Sequence, residues 1–213
     1  MRICAGLPTP VATRNNQTPP PSVPPTDPPD SVDITPNGKL RIKLGTQILA
    51  TPDIILRTDL PSGTDPKGAD PHSNIQSAAD GKASQRSNYE NAPGGTVLLD
   101  TRMLNGMLAM HDTNGYNLEI TAICGGSHSK NSRHYAGLGF DVWKINGVEV
   151  SADDPFHADF MKAIRGLGAT EVLGPGNTGH DHHVHAAWPR VTTTTTNSSL
   201  PDAPEGGMDE KRR

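Results

Sequence analysis

Near its C-terminal end the chain reads Gly179-His180-Asp181-His182-His183-Val184-His185-Ala186-Ala187-Trp188. From Val184 to Trp188 this histidine tract is also an alternating strand. Residues two apart on a strand share a face, so His183 and His185 are expected to point one way and His182 the other. A buried imidazole without a polar partner is costly, so such a strand must lie where its histidines have company. The competing reading is a solvated histidine tract with incidental metal affinity. Val184, Ala186 and Trp188 carry the apolar alternation through the tract and argue against it.

The company is offered upstream, by Ser132-Arg133-His134-Tyr135-Ala136-Gly137-Leu138-Gly139-Phe140-Asp141. The run GFDVWKI, Gly139 to Ile145, reads as a buried strand closed by a turn at Asn146-Gly147. Asp141 lies near the start of that strand and His134 on the loop entering it, and Gly137 and Gly139 allow the chain to turn tightly between them. Two adjacent antiparallel strands would set Asp141 beside His185, with His134 closing the set. Imidazole and carboxylate are good zinc ligands, and three protein ligands leave a fourth position for water, the mark of a catalytic site.

The remaining pattern predicts an α+β domain: a small antiparallel sheet with flanking helices. Leu99, Met103, Leu104, Met107 and Leu108 give Thr96 to Asp112 an apolar helical face. Leu118 to Cys124 reads as a buried strand, and Gly125 to Arg133 as a loop. A second helix starts near Ser151, with Phe156, Phe160, Ile164 and Leu167 on its apolar side, and Glu171 to Leu173 forms a further strand. This unit spans 96–190. Before it, 38–95 is expected to hold two short strands, over Lys39 to Leu60, and then a polar excursion or second linker over 61–95. Ten of the 20 prolines lie in the first 36 residues, so 1–37 is expected to be an extended linker or tail, suited to tethering or to docking a partner. The run of five threonines after Val191 opens a polar tail over 191–213, expected to be disordered.

Composition excludes several classes. The net charge is −4 and the lysines and arginines are scattered, so no basic stripe suggests nucleic acid. No stretch approaches the ~18 apolar residues of a membrane span. The two cysteines, Cys4 and Cys124, have no Cys-x-x-Cys spacing, so zinc would be held by nitrogen and oxygen alone. Residues 1–17 lack an apolar signal-peptide core, so an export route other than a standard signal peptide is expected.

The paired motifs carry a resemblance. Ser132-x-His134-x2-Gly137-x-Gly139-x-Asp141, followed by His183-Val184-His185, resembles the signature of the D-alanyl-D-alanine carboxypeptidase and murein endopeptidase superfamily of zinc peptidases, which shares its fold with the Hedgehog signalling domain. The resemblance covers roughly Thr96 to Arg190. It implies a Hedgehog/DD-peptidase-like fold with one Zn2+ on His134, Asp141 and His185. It also implies His183 as the catalytic histidine and an amide bond of peptidoglycan stem peptides or cross-links as the substrate. The carboxypeptidase branch has a glutamate where this chain has His182, which favours the endopeptidase-like branch. The family's usual arginine in a Ser-Gly-Tyr-Arg-like segment is missing from ICGGSHSKNSR, where Lys130 or Arg133 could supply the charge, and Gly139 replaces a usual alanine. Asp181 is a candidate for orienting a histidine or for capping a turn. Tyr135 and Trp188 are candidates for the cleft wall, with core packing the better role for Trp188.

Zinc lowers the pKa of bound water to ~7 and polarises a carbonyl. His183 would then act as acid–base group or as oxyanion stabiliser. The expected function is hydrolysis at the bacterial cell wall, periplasmic or exterior, reached through lysis, a secretion system or a phage particle. The alternatives are a non-catalytic zinc-binding module and an accessory domain of a phage or secretion-apparatus structural protein.

Overall fold

The computed structural model describes residues 35–60 and 67–191. The expected linker and tail lie outside the described residues, apart from 35–37 and Val191.

Thr35 and Pro36 open the first element. The Thr35 hydroxyl accepts from the Gly38 N–H at 3.0 Å, and Pro36 takes the first turn of α1, Pro36–Leu49. Here the sequence reading is corrected: the expected strands over Lys39 to Leu60 are replaced by this helix and a short β1, Ile54–Leu56. The alternation Leu40, Ile42, Leu44 is local coincidence, since Leu40 is 44% exposed. The buried positions are Gly38, Arg41, Leu44, Gly45 and Ile48, which is helical spacing. Gly45 is where α1 meets α2, Pro71–Ala79: a Cβ there would lie 2.7 Å from the backbone N of Ala79.

The described part of the 61–95 segment, 67–95, is also integral. Its helix α2 buries Ile75 and Ala78, and its polar Asn74 is fully enclosed. The Asn74 side chain donates to Gly68 O and Gln85 O and accepts from the Cys124 N–H, tying three stretches of chain together. Strands β2, Ser84–Gln85, and β3, Thr96–Val97, form a separate antiparallel pair. Helix α3 therefore starts at Thr101 and runs to Asp112, with Asp100 accepting from the Arg102 N–H.

The main sheet adds β4 (Leu118–Ala122), β5 (Gly139–Ile145), β6 (Val148–Glu149), β7 (Glu171–Leu173) and β8 (Val184–Ala187), in the order β1-β4-β5-β8-β7 with β6 beside β5. It is mixed rather than purely antiparallel, because β1 runs parallel to β4. The connection between those two strands carries α2, β2, β3 and α3, as a parallel pair requires a crossover. The fold is thus α+β with four helices among the described residues. Helix α4, His157–Gly166, begins later than its expected start at Ser151. The Asp154 carboxylate accepts from the backbone N–H groups of Ser151, Phe156 and His157 and ends the preceding turn.

Trp188 belongs to the core. It packs against α3 at Gly106, where a Cβ would lie 2.2 Å from the indole, and its Nε1–H donates to Leu167 O. Among the described residues no helix is long and apolar enough to cross a membrane.

Candidate metal centre

Strands β5 and β8 are neighbours, and their register pairs Asp141 with His185. Register shifts in the β4–β5 pairing lie between Glu119 and Ala122, opposite Asp141 to Lys144. Such irregularities re-aim side chains at site edges. His134 sits on a single 3₁₀ turn, His134–Ala136, which closes at Gly137 in the left-handed region with φ of 66°. A Cβ on Gly137 would also meet Leu98 O at 2.7 Å, so glycine is needed there twice over.

These elements bring three ligand atoms together. His134 Nε2 is 3.1 Å from Asp141 Oδ1 and 2.9 Å from His185 Nδ1, and His185 Nδ1 is 3.0 Å from Asp141 Oδ1. All three residues are buried. The outer nitrogens are already committed. His134 Nδ1–H donates to Ile123 O, and His185 Nε2–H donates to Glu171 Oε1 at 3.0 Å. Each neutral ring then has only a lone pair on its inner nitrogen. With both rings neutral, two imidazole lone pairs and a carboxylate oxygen converge. That arrangement calls for a cation, and atoms this far apart can all lie about 2 Å from one ion.

The electrostatics agree. Burial would raise the Asp141 carboxyl, but His134 and His185 hold it well below the usual range. Burial would lower His185, yet Asp141 and Glu171 keep it above its ordinary value.

Sequence reasoning missed two residues here. His128 forms, with His134 and Asp141, a group that could hold a metal ion, with ligand atoms within 4.8 Å of one another. However, the His128 ring stacks on His134 with centroids 3.9 Å apart and planes 10° apart. Imidazoles bind metals through in-plane lone pairs, and two parallel stacked rings direct these in separate planes. The triangle through His185 is therefore the better-formed site, and His128 forms its wall. His128 Nε2–H donates to Gly125 O, and burial, helped by His134, pushes its pKa down to about 3, so the ring stays neutral. The available signal was one more histidine in the loop before His134. Glu171 was legible as part of a strand but not as a partner. Its reach to His185 depends on the β7–β8 pairing, which sets Glu171 opposite Ala187 and diagonal to His185.

Around the triangle opens a cleft of about 720 Å³ whose walls include Arg57, Glu90, Ser127, Trp143 and His183. His183 is half-buried, and burial lowers its pKa before the opposing pull of Asp141. His182 was expected on the opposite face, yet it lines the same cleft. The chain still turns at Asp181 and His182, and the strand begins only at Val184. Asp181 is exposed and its carboxylate is 3.5 Å from the Gly176 N–H, a turn contact rather than a histidine contact. Tyr135 and Trp188 do not line the cleft, and neither do Lys130 or Arg133. Arg133 instead braces Glu171, with its Nε 3.3 Å from the carboxylate. Arg57 is the one lysine or arginine lining the cleft among the described residues, lying 5.3 Å from the Trp143 ring centre and paired with Asp59. Cys124 is buried, and that burial pushes its thiol up to about 12, so it is no nucleophile.

No family model, curated protein or solved structure matches this chain.

Proposed function

We propose that the chain is a zinc-dependent peptidase that hydrolyses an amide bond in peptidoglycan stem peptides or their cross-links, in a Hedgehog/DD-peptidase-like fold. The observation that carries this reading is the convergence of His134 Nε2, His185 Nδ1 and Asp141 Oδ1, all as lone pairs, at the floor of an open cleft beside His183. Two imidazoles and a carboxylate suit zinc better than magnesium or calcium, which prefer all-oxygen shells. Zinc held there would supply a polarised carbonyl and a water acidic enough to attack near neutral pH.

The chain's own residues divide the remaining work. Glu171 fixes the His185 tautomer, and Arg133 fixes Glu171. His183 has no committed hydrogen bond among the described residues and takes the attacking water's proton, then returns it to the leaving amine. The cleft volume is on the scale of small-ligand sites, enough for a short peptide. The site of action would be the bacterial cell wall.

The test is digestion of purified murein with and without a chelator, followed by mass analysis of the released muropeptides. Cleavage that stops with chelator and returns with zinc is the expected result. A folded, zinc-loaded protein that leaves murein intact would overturn the peptidase reading in favour of a zinc-binding module.

A further inference from the structure

The histidines outside the triangle are themselves grouped. The His180 and His183 ring centres lie 4.8 Å apart at 41°, and those of His182 and His183 lie 4.9 Å apart at 64°. The His134 and His185 rings, whose inner nitrogens converge, lie 4.7 Å apart at 53°. His183 thus has two imidazole neighbours, at ring-centre distances that one ion can span once the rings turn a nitrogen toward it. Lone pairs are available too. His180 Nδ1–H donates to Thr178 O at 2.9 Å, which leaves Nε2 free to ligate. The ring nitrogens of His182 and His183 have no hydrogen-bond partner among the described residues. All three side chains line the cleft, His183 half-buried and His182 exposed.

We propose that His180, His182 and His183 form a second, weaker site for a zinc-class divalent cation on the exposed side of the cleft, and that filling it withdraws His183 from proton transfer. Imidazole-only sites suit Zn2+, Cu2+ and Ni2+ rather than hard cations. The set carries no carboxylate charge and is partly solvated, so it binds more weakly than the buried triangle. Excess zinc thereby inhibits by occupying the catalytic histidine rather than the first metal. The inhibitory half of this inference rests on the role given to His183 above, while the binding half does not.

The experiment strips the whole protein with a chelator and titrates it with Zn2+ by calorimetry, counting bound ions by native mass spectrometry. The parent should take up one tight equivalent and one weaker one. The His180→Ala/His182→Ala double variant should keep the first, which also reports that it is folded. Its second should weaken by at least about tenfold, the scale on which even outer partners of a metal act. A single equivalent in the parent, or an unchanged second equivalent in the double variant, overturns the site. Murein hydrolysis across the same titration should rise with the first equivalent and fall with the second. In the double variant the fall should move to higher zinc by the same factor. Inhibition that does not move overturns the regulatory half. A parent that never cleaves murein defeats the peptidase reading, yet the stoichiometry still decides the second site.

Discussion

Glu171 Oε1 accepts the Nε2–H of His185 at 3.0 Å, and so settles which nitrogen of His185 faces Asp141. The pair joins β7 to β8, and Arg133 holds the other carboxylate oxygen. Removing the carboxylate frees the ring to flip or to protonate its inner nitrogen. Glu171→Ala should weaken zinc binding by about 10–100-fold, the usual effect of losing such a partner. The measurement is competition against a chelator of known affinity. Unchanged affinity would show that Ile123, His134 and Asp141 are enough to order the site.

Gly106 tests the core beneath the site. In an exposed helix, alanine would be about 1 kcal/mol better than glycine. At this position the added methyl would meet the Trp188 indole at 2.2 Å. The indole is buried and its Nε1–H is anchored on Leu167 O, so it cannot simply swing away. Overpacking costs typically ~1–3 kcal/mol, which outweighs the helix gain. Gly106→Ala should lower the midpoint of denaturant unfolding. A rise would mean that Trp188 repacks freely.

Asp154 supplies a pH signature away from the metal. Burial would raise its carboxyl, but the N–H donors of Ser151, Phe156 and His157, with the His157 ring, hold it below the usual value. A depressed folded pKa stabilises the protein above the unfolded value of ~3.9. That stability is lost as pH falls through the lower folded value. The stability gap between parent and Asp154→Asn should therefore shrink as pH falls below about 4. Chemical denaturation at a series of pH values measures it, and a gap independent of pH would remove the carboxylate's charge from the argument.

The sequence made the centre of the sheet legible because its signals there are local. Gly139 to Ile145 and Glu171 to Leu173 are the observed strands, and the pairing of Asp141 with His185 follows from alternation on two adjacent strands. The first third of the domain was not legible in the same way. In α1 the residue that decides the packing is Gly45, whose value lies in contact with Ala79 on another helix. The burial of Asn74 likewise depends on Gly68, Gln85 and Cys124, which only the fold brings together. Glu171 and His128 escaped for the same reason, since their partners are fixed by register and by ring stacking rather than by spacing along the chain.

The sharpest prediction separates holding zinc from using it. His134 and His185 each supply one corner of the triangle, so His134→Ala and His185→Ala should lose most bound zinc. His183 lies beside the triangle and contributes no atom to it, so His183→Ala should keep the tight equivalent. If His183 moves the proton, that variant should lose murein hydrolysis by a factor on the order of 10²–10⁴, the usual contribution of a positioned acid–base group. Metal analysis and muropeptide release, measured on the same preparations, check both halves. Zinc loss in His183→Ala would make His183 a ligand of the first ion. Intact zinc with undiminished hydrolysis would leave His128 as the nearest remaining imidazole, stacked on His134 and held neutral by its burial.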